Sequence, residues 1–183
     1  MIHYDLFQFA SAPRTATAWI RRAAAMTGLV ESGVADVHAP FPELYNATIL
    51  RVGCVRHPCD WLASYWASIN PALIGLPEVD AFQGDVSNFD LFVRRYLDER
   101  PGTVGKMMTS YNADSYLRIE DLPMAFVEMI DSLGMPRCMA ERCIGNRPIN
   151  PTPLNKRPVW NRQLRDAVIR AEVHFLERFE YWW

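Results

Sequence analysis

The stretch Phe9-Ala-Ser-Ala-Pro-Arg-Thr-Ala-Thr-Ala-Trp19 decides how this chain is read. An apolar run, Tyr4 to Ala10, stops at a loop of small residues holding one arginine, and the loop runs into a helical pattern from Thr17 to Met26. A strand that feeds a helix through such a turn aims the helix's first free N–H groups, and its positive dipole end, at one point. Such a point binds an anion, most often a phosphate. Arg14 adds a forked cation, while Thr15 and Thr17 add hydroxyl donors. The competing reading is a plain strand-turn-helix with a capping threonine. Neither G-x-x-x-x-G-K-[ST] nor G-x-G-x-x-G occurs in the chain, so the usual nucleoside-triphosphate and dinucleotide loops are excluded.

A second basic position follows the same logic. Thr48-Ile-Leu-Arg-Val-Gly-Cys-Val55 reads as a buried strand, apolar and rich in β-branched residues. It ends in Arg56-His57-Pro58, and Cys59 to Ser68 carries apolar and aromatic groups at helical spacing. Pro58 suits the first position of a helix because it has no N–H to waste, and Asp60 suits the first turn. Arg56 therefore stands at a strand end, near the cleft where open α/β sheets bind ligands. Ser64 presents a hydroxyl from the helix that follows.

Together the two segments resemble the sulfotransferases that use 3′-phosphoadenosine 5′-phosphosulfate (PAPS). A family loop of the type P-[KR]-[ST]-G-T-T-W is matched here at Pro13, Arg14, Thr15, Thr17 and Trp19. A second family motif, R-x-P-x-D-x-x-x-S-x, is matched at Arg56, Pro58, Asp60, Ser64 and Tyr65. His38-Ala-Pro-Phe41 precedes the second strand as the family's H-x-P segment does, and Leu117-Arg-Ile-Glu-Asp-Leu122 looks like its strand-ending Y-E-D-L. Lys156 and Arg157, in a Pro-rich loop, and Phe179-Glu-Tyr181 are looser echoes. The likeness lies in motifs over about half of the chain, and Ala67 to Thr109 matches only in pattern.

The resemblance implies a P-loop-like, three-layer α/β/α sandwich around a small parallel sheet, and transfer of a sulfuryl group from PAPS to a hydroxyl or amine, leaving PAP. It implies that Arg14, Thr15, Ala16, Thr17 and Ala18 hold the 5′-phosphosulfate, with Arg14 neutralising the charge that develops as the bond breaks. Arg56 and Ser64 would hold the 3′-phosphate and so select PAPS over ATP, while Lys156 and Arg157 close over the nucleotide. His38 is the candidate general base, because an imidazole titrates near neutrality. Glu31, Asp36 and Glu43 are fallback bases, since some relatives use a carboxylate. Two departures stand inside the loop: Ala16 replaces the glycine, and Ala18 replaces a threonine. Arginine in place of the commoner lysine at Arg14 grips an anion with two bonds but donates a proton poorly.

Other residues have plainer readings. Trp19 suits packing under the first helix rather than stacking on a base, His57 orients its own turn, and His3 and His174 are structural or exposed. Trp61, Tyr65 and Trp66 share the second helix, where one of them stacks on adenine or faces the acceptor. Glu120 and Asp121 are candidate catalytic carboxylates that a helix start explains equally well. Arg21-Arg22 and Arg94-Arg95 fit solvated helix faces.

With 183 residues, half of them hydrophobic, one domain spanning 1–183 with a sizeable core is expected. A net charge of −2 offers no general basic field for nucleic acid or an anionic membrane. The start, Met1-Ile-His-Tyr-Asp5, lacks the basic and long apolar regions of a signal peptide, and no apolar run approaches a membrane span. Four cysteines at Cys54, Cys59, Cys138 and Cys143 follow no zinc spacing and no disulfide framework. A cytoplasmic enzyme without a metal, acting on a small-molecule or carbohydrate acceptor, is the expectation.

The expected order is a strand over Tyr4–Ala10, a helix over Thr17–Thr27, a loop with His38, a strand over Thr48–Val55 and a helix over Pro58–Ile69. An irregular stretch, Asn70 to Ser87, lines an acceptor pocket or simply anchors itself through Leu73, Ile74, Leu76 and Phe82. Asn88 caps a helix with Phe89, Phe92, Val93 and Tyr96 on one face. A short helix over Val104–Tyr111, a strand over Ser115–Ile119, a helix opened by Asp121 and Pro123 and closed at Leu133-Gly134, and a helical piece over Arg137–Ile144 come next. After a Pro-rich loop, Asn146 to Val159, a last helix runs Asn161–Phe179. Three alternatives stay open: a P-loop-like kinase, a non-catalytic PAP-binding module, and an interaction protein that docks a partner through its aromatic C-terminus, Phe179 to Trp183.

Overall fold

A computed structural model describes residues 1–36, 38–42, 49–68, 88–145 and 158–181. In chain order its strands and helices are β1 (Ile2–Tyr4), β2 (Phe7–Phe9), α1 (Thr17–Met26), β3 (Glu31–Val34), β4 (Leu50–Val55), α2 (Pro58–Ser68), α3 (Phe89–Glu99), α4 (Thr103–Thr109), β5 (Ser115–Arg118), α5 (Met124–Ser132), α6 (Arg137–Ala140), α7 (Arg162–Ala171) and α8 (Val173–Arg178). The chain forms two compact units, Met1–Arg56 with Met107–Asn150, and His57–Lys106 with Pro151–Trp183. Among the described residues no helix is long and apolar enough to cross a membrane. The stretch 70–87, Glu43, Lys156 and Arg157 lie outside the described residues.

The first unit holds a five-stranded sheet in the order β3-β1-β2-β4-β5. β2 pairs with β4, and β4 with β5, in parallel; β1 runs antiparallel to both β2 and β3. The expected parallel sheet is thus corrected to a mixed one, because the expected strand Tyr4–Ala10 spans the end of β1, a reversal and β2 of a hairpin. A single extended run would send Tyr4 and Phe7 to opposite faces. The reversal at Asp5-Leu6 instead puts Ile2, Tyr4, Phe7 and Phe9 on one buried face, with the Tyr4 and Phe7 rings 4.8 Å apart. Glu31-Ser-Gly-Val34, expected within the loop with His38, forms β3 although it has little strand propensity. Pairing with β1 holds it in place, as does a bidentate bridge from Arg21 to Glu31 with both distances at 2.8 Å.

The apolar sheet face packs on α1 and α5, where Trp19, Ile20, Ala23 and Ala24 meet Phe126, Val127 and Ile130. Trp19 packs edge-on to Phe126 at 5.7 Å, in keeping with its expected packing role. On the other sheet face Gly53 lies under Tyr116, and a Cβ there would come within 2.9 Å of the ring. The Tyr116 hydroxyl donates to the Thr109 carbonyl and accepts from the Ala113 N–H, which clasps the turn ahead of β5.

The second unit is helical. Asn88 caps α3 as expected, its side chain accepting from Asp90 and Leu91 N–H, and Asn161 caps α7 in the same way. The expected helix Asn161–Phe179 is two helices, broken at Glu172. The carboxylate of Glu172 is drawn into the N-terminus of α4, where Val104 and Gly105 N–H each donate at 3.0 Å and the Tyr96 hydroxyl donates as well. Gly105 permits this approach, since a Cβ would lie 2.7 Å from Glu172 Oε2 and 2.6 Å from Phe175 Cβ. α4 is therefore capped by a residue far along the chain.

Glu172 is 2% exposed, and burial pushes its carboxyl above the ordinary carboxylate range, against the pull of the three hydrogen bonds. A carboxyl raised in the folded state contributes stability that is full below its unfolded pKa and is lost as pH rises through its folded pKa. Urea unfolding from about pH 4 to about pH 8 should show wild type losing stability relative to Glu172→Gln as the pH climbs. A pH-independent difference between the two would contradict this.

Candidate active site

The candidate site is built in the first unit, where β2 and β4 lie side by side. The Ala10 N–H continues their pairing by donating to the Val52 carbonyl at 3.1 Å, and the chain then leaves the sheet through Ser11 to Ala16. Arg14 and Ala16 have φ of 66° and 65°, with Thr15 between them on the ordinary side. Backbone that alternates in hand turns successive N–H groups toward one concavity, the geometry that suits an anion. Ala16 is the N-cap residue of α1 and no side chain caps this helix, so the plain capping reading of the threonines does not hold. The first-turn N–H groups keep their capacity for an anion.

The side chains sort into two kinds. Thr15 is fully buried and its hydroxyl donates to the Ala12 carbonyl, so its one proton is committed within the loop. Thr17 shares a hydrogen bond with the Ser11 hydroxyl at 2.9 Å. Arg14 is half-buried, and burial pulls its guanidinium below its ordinary value; a bound anion offsets that penalty. Ala18 is exposed on the first turn of α1.

Arg56 follows β4 directly. Its Nη1 donates to the Arg14 carbonyl at 3.3 Å, so the guanidinium of the second motif reaches the backbone of the first. Its N–H donates to Met108 Sδ at 3.4 Å. His38 comes to the same loop from the other side of the chain: its Nδ1 lies 2.8 Å from the Ser11 carbonyl. A carbonyl only accepts, so Nδ1 carries the proton and Nε2 of the neutral ring keeps its lone pair. The structure thus brings Arg14, Thr15, Ala16, Thr17, Arg56 and His38 together.

Ser64 lies in the second unit, on α2, buried at 5% exposure. Of the fallback bases, Asp36 accepts the His38 N–H at 2.9 Å, and Glu31 is committed to Arg21, which holds its carboxyl below the ordinary range. His57 accepts the Cys59 N–H at 3.2 Å and packs edge-on to Tyr181, in keeping with a turn-orienting role. His3 pairs with Gln8 at 3.0 Å, and His174 is exposed beside Glu177. Asp121 pairs with Arg118 at 2.7 Å. Cys54 and Cys59 are free and buried, and burial pushes the Cys59 thiol up to about 12. Among the described residues no cluster of three His, Cys, Asp or Glu side chains forms a metal site.

Two contributors escaped the sequence reading. Ser11 holds both Thr17 and His38, one through its hydroxyl and the other through its carbonyl. Tyr111 donates its hydroxyl to the His38 carbonyl at 2.8 Å. Neither belongs to a motif, and no local pattern marks them. No protein-family model matches this chain, and no curated protein sequence matches it.

Ala16 stands at a φ that L residues adopt at a cost of about 1 kcal/mol, while it packs against the core beneath the loop. In urea unfolding Ala16→Gly should therefore change stability by no more than about 1 kcal/mol, since glycine relieves the strained φ but gives up that packing and loosens the unfolded chain. A much larger loss would show that the packing of Ala16 outweighs its strain.

Proposed function

We propose that this chain is a PAPS-dependent sulfotransferase that moves a sulfuryl group to a hydroxyl or amine of a small-molecule or carbohydrate acceptor, in a P-loop-like three-layer fold. The observation that carries the reading is the meeting of both motifs at one place: Arg56 Nη1 on the Arg14 carbonyl, with His38 hung from the same loop at Ser11. A doubly phosphorylated nucleotide needs two cationic grips a short span apart, and adjacent parallel strands supply that spacing.

PAPS brings a sulfuryl group already activated as a mixed anhydride with phosphate. The protein's part is to position and to neutralise charge. Arg14, the alternating backbone of residues 14–16 and the first turn of α1 hold the 5′ end. Arg14 also balances the negative charge left on the phosphate oxygen. Arg56 holds the 3′-phosphate, and the share of Ser64 in that grip rests on the motif alone. His38 Nε2 takes the proton of the acceptor as its oxygen or nitrogen bonds to sulfur. Free buried cysteines and a net charge of −2 support a cytoplasmic setting without a nucleic-acid or membrane partner.

Calorimetry with PAP, ATP and AMP tests the reading. PAP bound far more tightly than ATP supports it, ATP preferred over PAP turns it to a kinase, and binding of none leaves an interaction protein. Arg56→Ala should weaken PAP binding by roughly 2–5 kcal/mol, the range for one partner of a buried charge pair; an unchanged affinity would remove Arg56 from the 3′-phosphate. With radiolabelled PAPS and a panel of phenol, sugar and amine acceptors, His38→Ala should slow turnover about 10²–10⁴-fold while PAP affinity holds. Turnover without tight PAP binding, or PAP binding without turnover in the whole panel, separates catalysis from simple binding.

A further inference from the structure

We propose that Tyr111 is a positioning residue for His38, a strut that carries the rigidity of the sheet to the candidate base. This rests on the reading of His38 as the proton acceptor. Tyr111 is 5% exposed and follows α4 in the turn that the Tyr116 hydroxyl clasps at Thr109 and Ala113. The Asp114 N–H donates to the Arg51 carbonyl at 2.9 Å, and Arg51 pairs with the Asp114 carboxylate, so the turn is tied to β4 as well. From this anchored turn the Tyr111 hydroxyl donates to the His38 carbonyl, and the Tyr111 carbonyl accepts the Phe41 N–H at 3.2 Å. The His38–Phe41 segment is thereby gripped at both ends by one residue.

A base on a loop must be fixed in two ways. Its ring nitrogen needs a set protonation, and its peptide needs a set place. The Ser11 carbonyl does the first by holding the proton on Nδ1. Tyr111 at the carbonyl and Asp36 at the N–H do the second. Without the Tyr111 hydroxyl the carbonyl end of His38 is released, leaving only the ties at Asp36 and Ser11, and Nε2 loses its fixed direction.

The test uses Tyr111→Phe, which keeps the ring, with Asp36→Ala as a second variant that frees the other end of the residue. Heteronuclear NMR of the imidazole nitrogens should find the His38 proton on Nδ1 in wild type and a mixture of tautomers in Tyr111→Phe. With radiolabelled PAPS and p-nitrophenol or N-acetylglucosamine as acceptor, Tyr111→Phe should lower kcat roughly three- to tenfold, the effect of one neutral hydrogen bond, and leave PAP affinity within about twofold. In a His38→Ala background the same change should have no further effect on kcat. A wild-type ring protonated on Nε2, an unaltered tautomer balance in both variants, or an equal loss of kcat with and without His38 overturns the proposal. The tautomer readout needs no turnover, so a chain that fails to transfer sulfate refutes the sulfotransferase reading and still passes judgement on Tyr111.

Discussion

The parallel pairing of β2 with β4 is the constraint on which the site depends. Phe7, Gln8 and Phe9 take Leu50, Arg51 and Val52 as partners, and Ala10 extends the ladder by one hydrogen bond. Parallel neighbours leave a sheet at the same edge, so the loop after β2 and the arginine after β4 emerge together. The Arg56 bond to the Arg14 carbonyl is the direct result. Were β4 antiparallel to β2, Arg56 would stand at the opposite end of the sheet and the two motifs could not meet.

The loop itself combines strain with support. Two L residues in the left-handed region are unfavourable, and such backbone persists only where its surroundings hold it. Thr15 supplies an inner brace through Ala12, while the Ser11 hydroxyl ties the start of the loop to the first residue of α1. Thr15 and Thr17, which have the chemistry to touch an anion, thus engage their hydroxyls within the loop. In the helical unit the buried Glu172 caps α4, and the absence of a side chain at Gly105 lets it in.

Much of the local structure was legible. Asn88 announced its helix because an Asx side chain bonds the backbone two and three residues on, a relation contained in adjacent sequence. The run Thr48–Val55 read as a strand, which the structure has over Leu50–Val55, and Trp19 read as a packing residue under the first helix. The hairpin at Asp5-Leu6, strand β3 and the break at Glu172 did not. Each depends on a distant partner: Phe9 for Ile2, Tyr4 and Arg21 for Glu31, and the N-terminus of α4 for Glu172.

Sequence by itself determined the kinds of groups and their local settings: an arginine and two threonines between a strand and a helix, a second arginine at a strand end, and a histidine between them. Tertiary structure alone decided strand direction, the inward turn of Thr15, and the proton position on His38. The physical reason is distance along the chain. His38 is 27 residues from Ser11 and 73 from Tyr111, and hydrogen bonds of that span leave no periodicity, capping pattern or turn signal in the residues that make them.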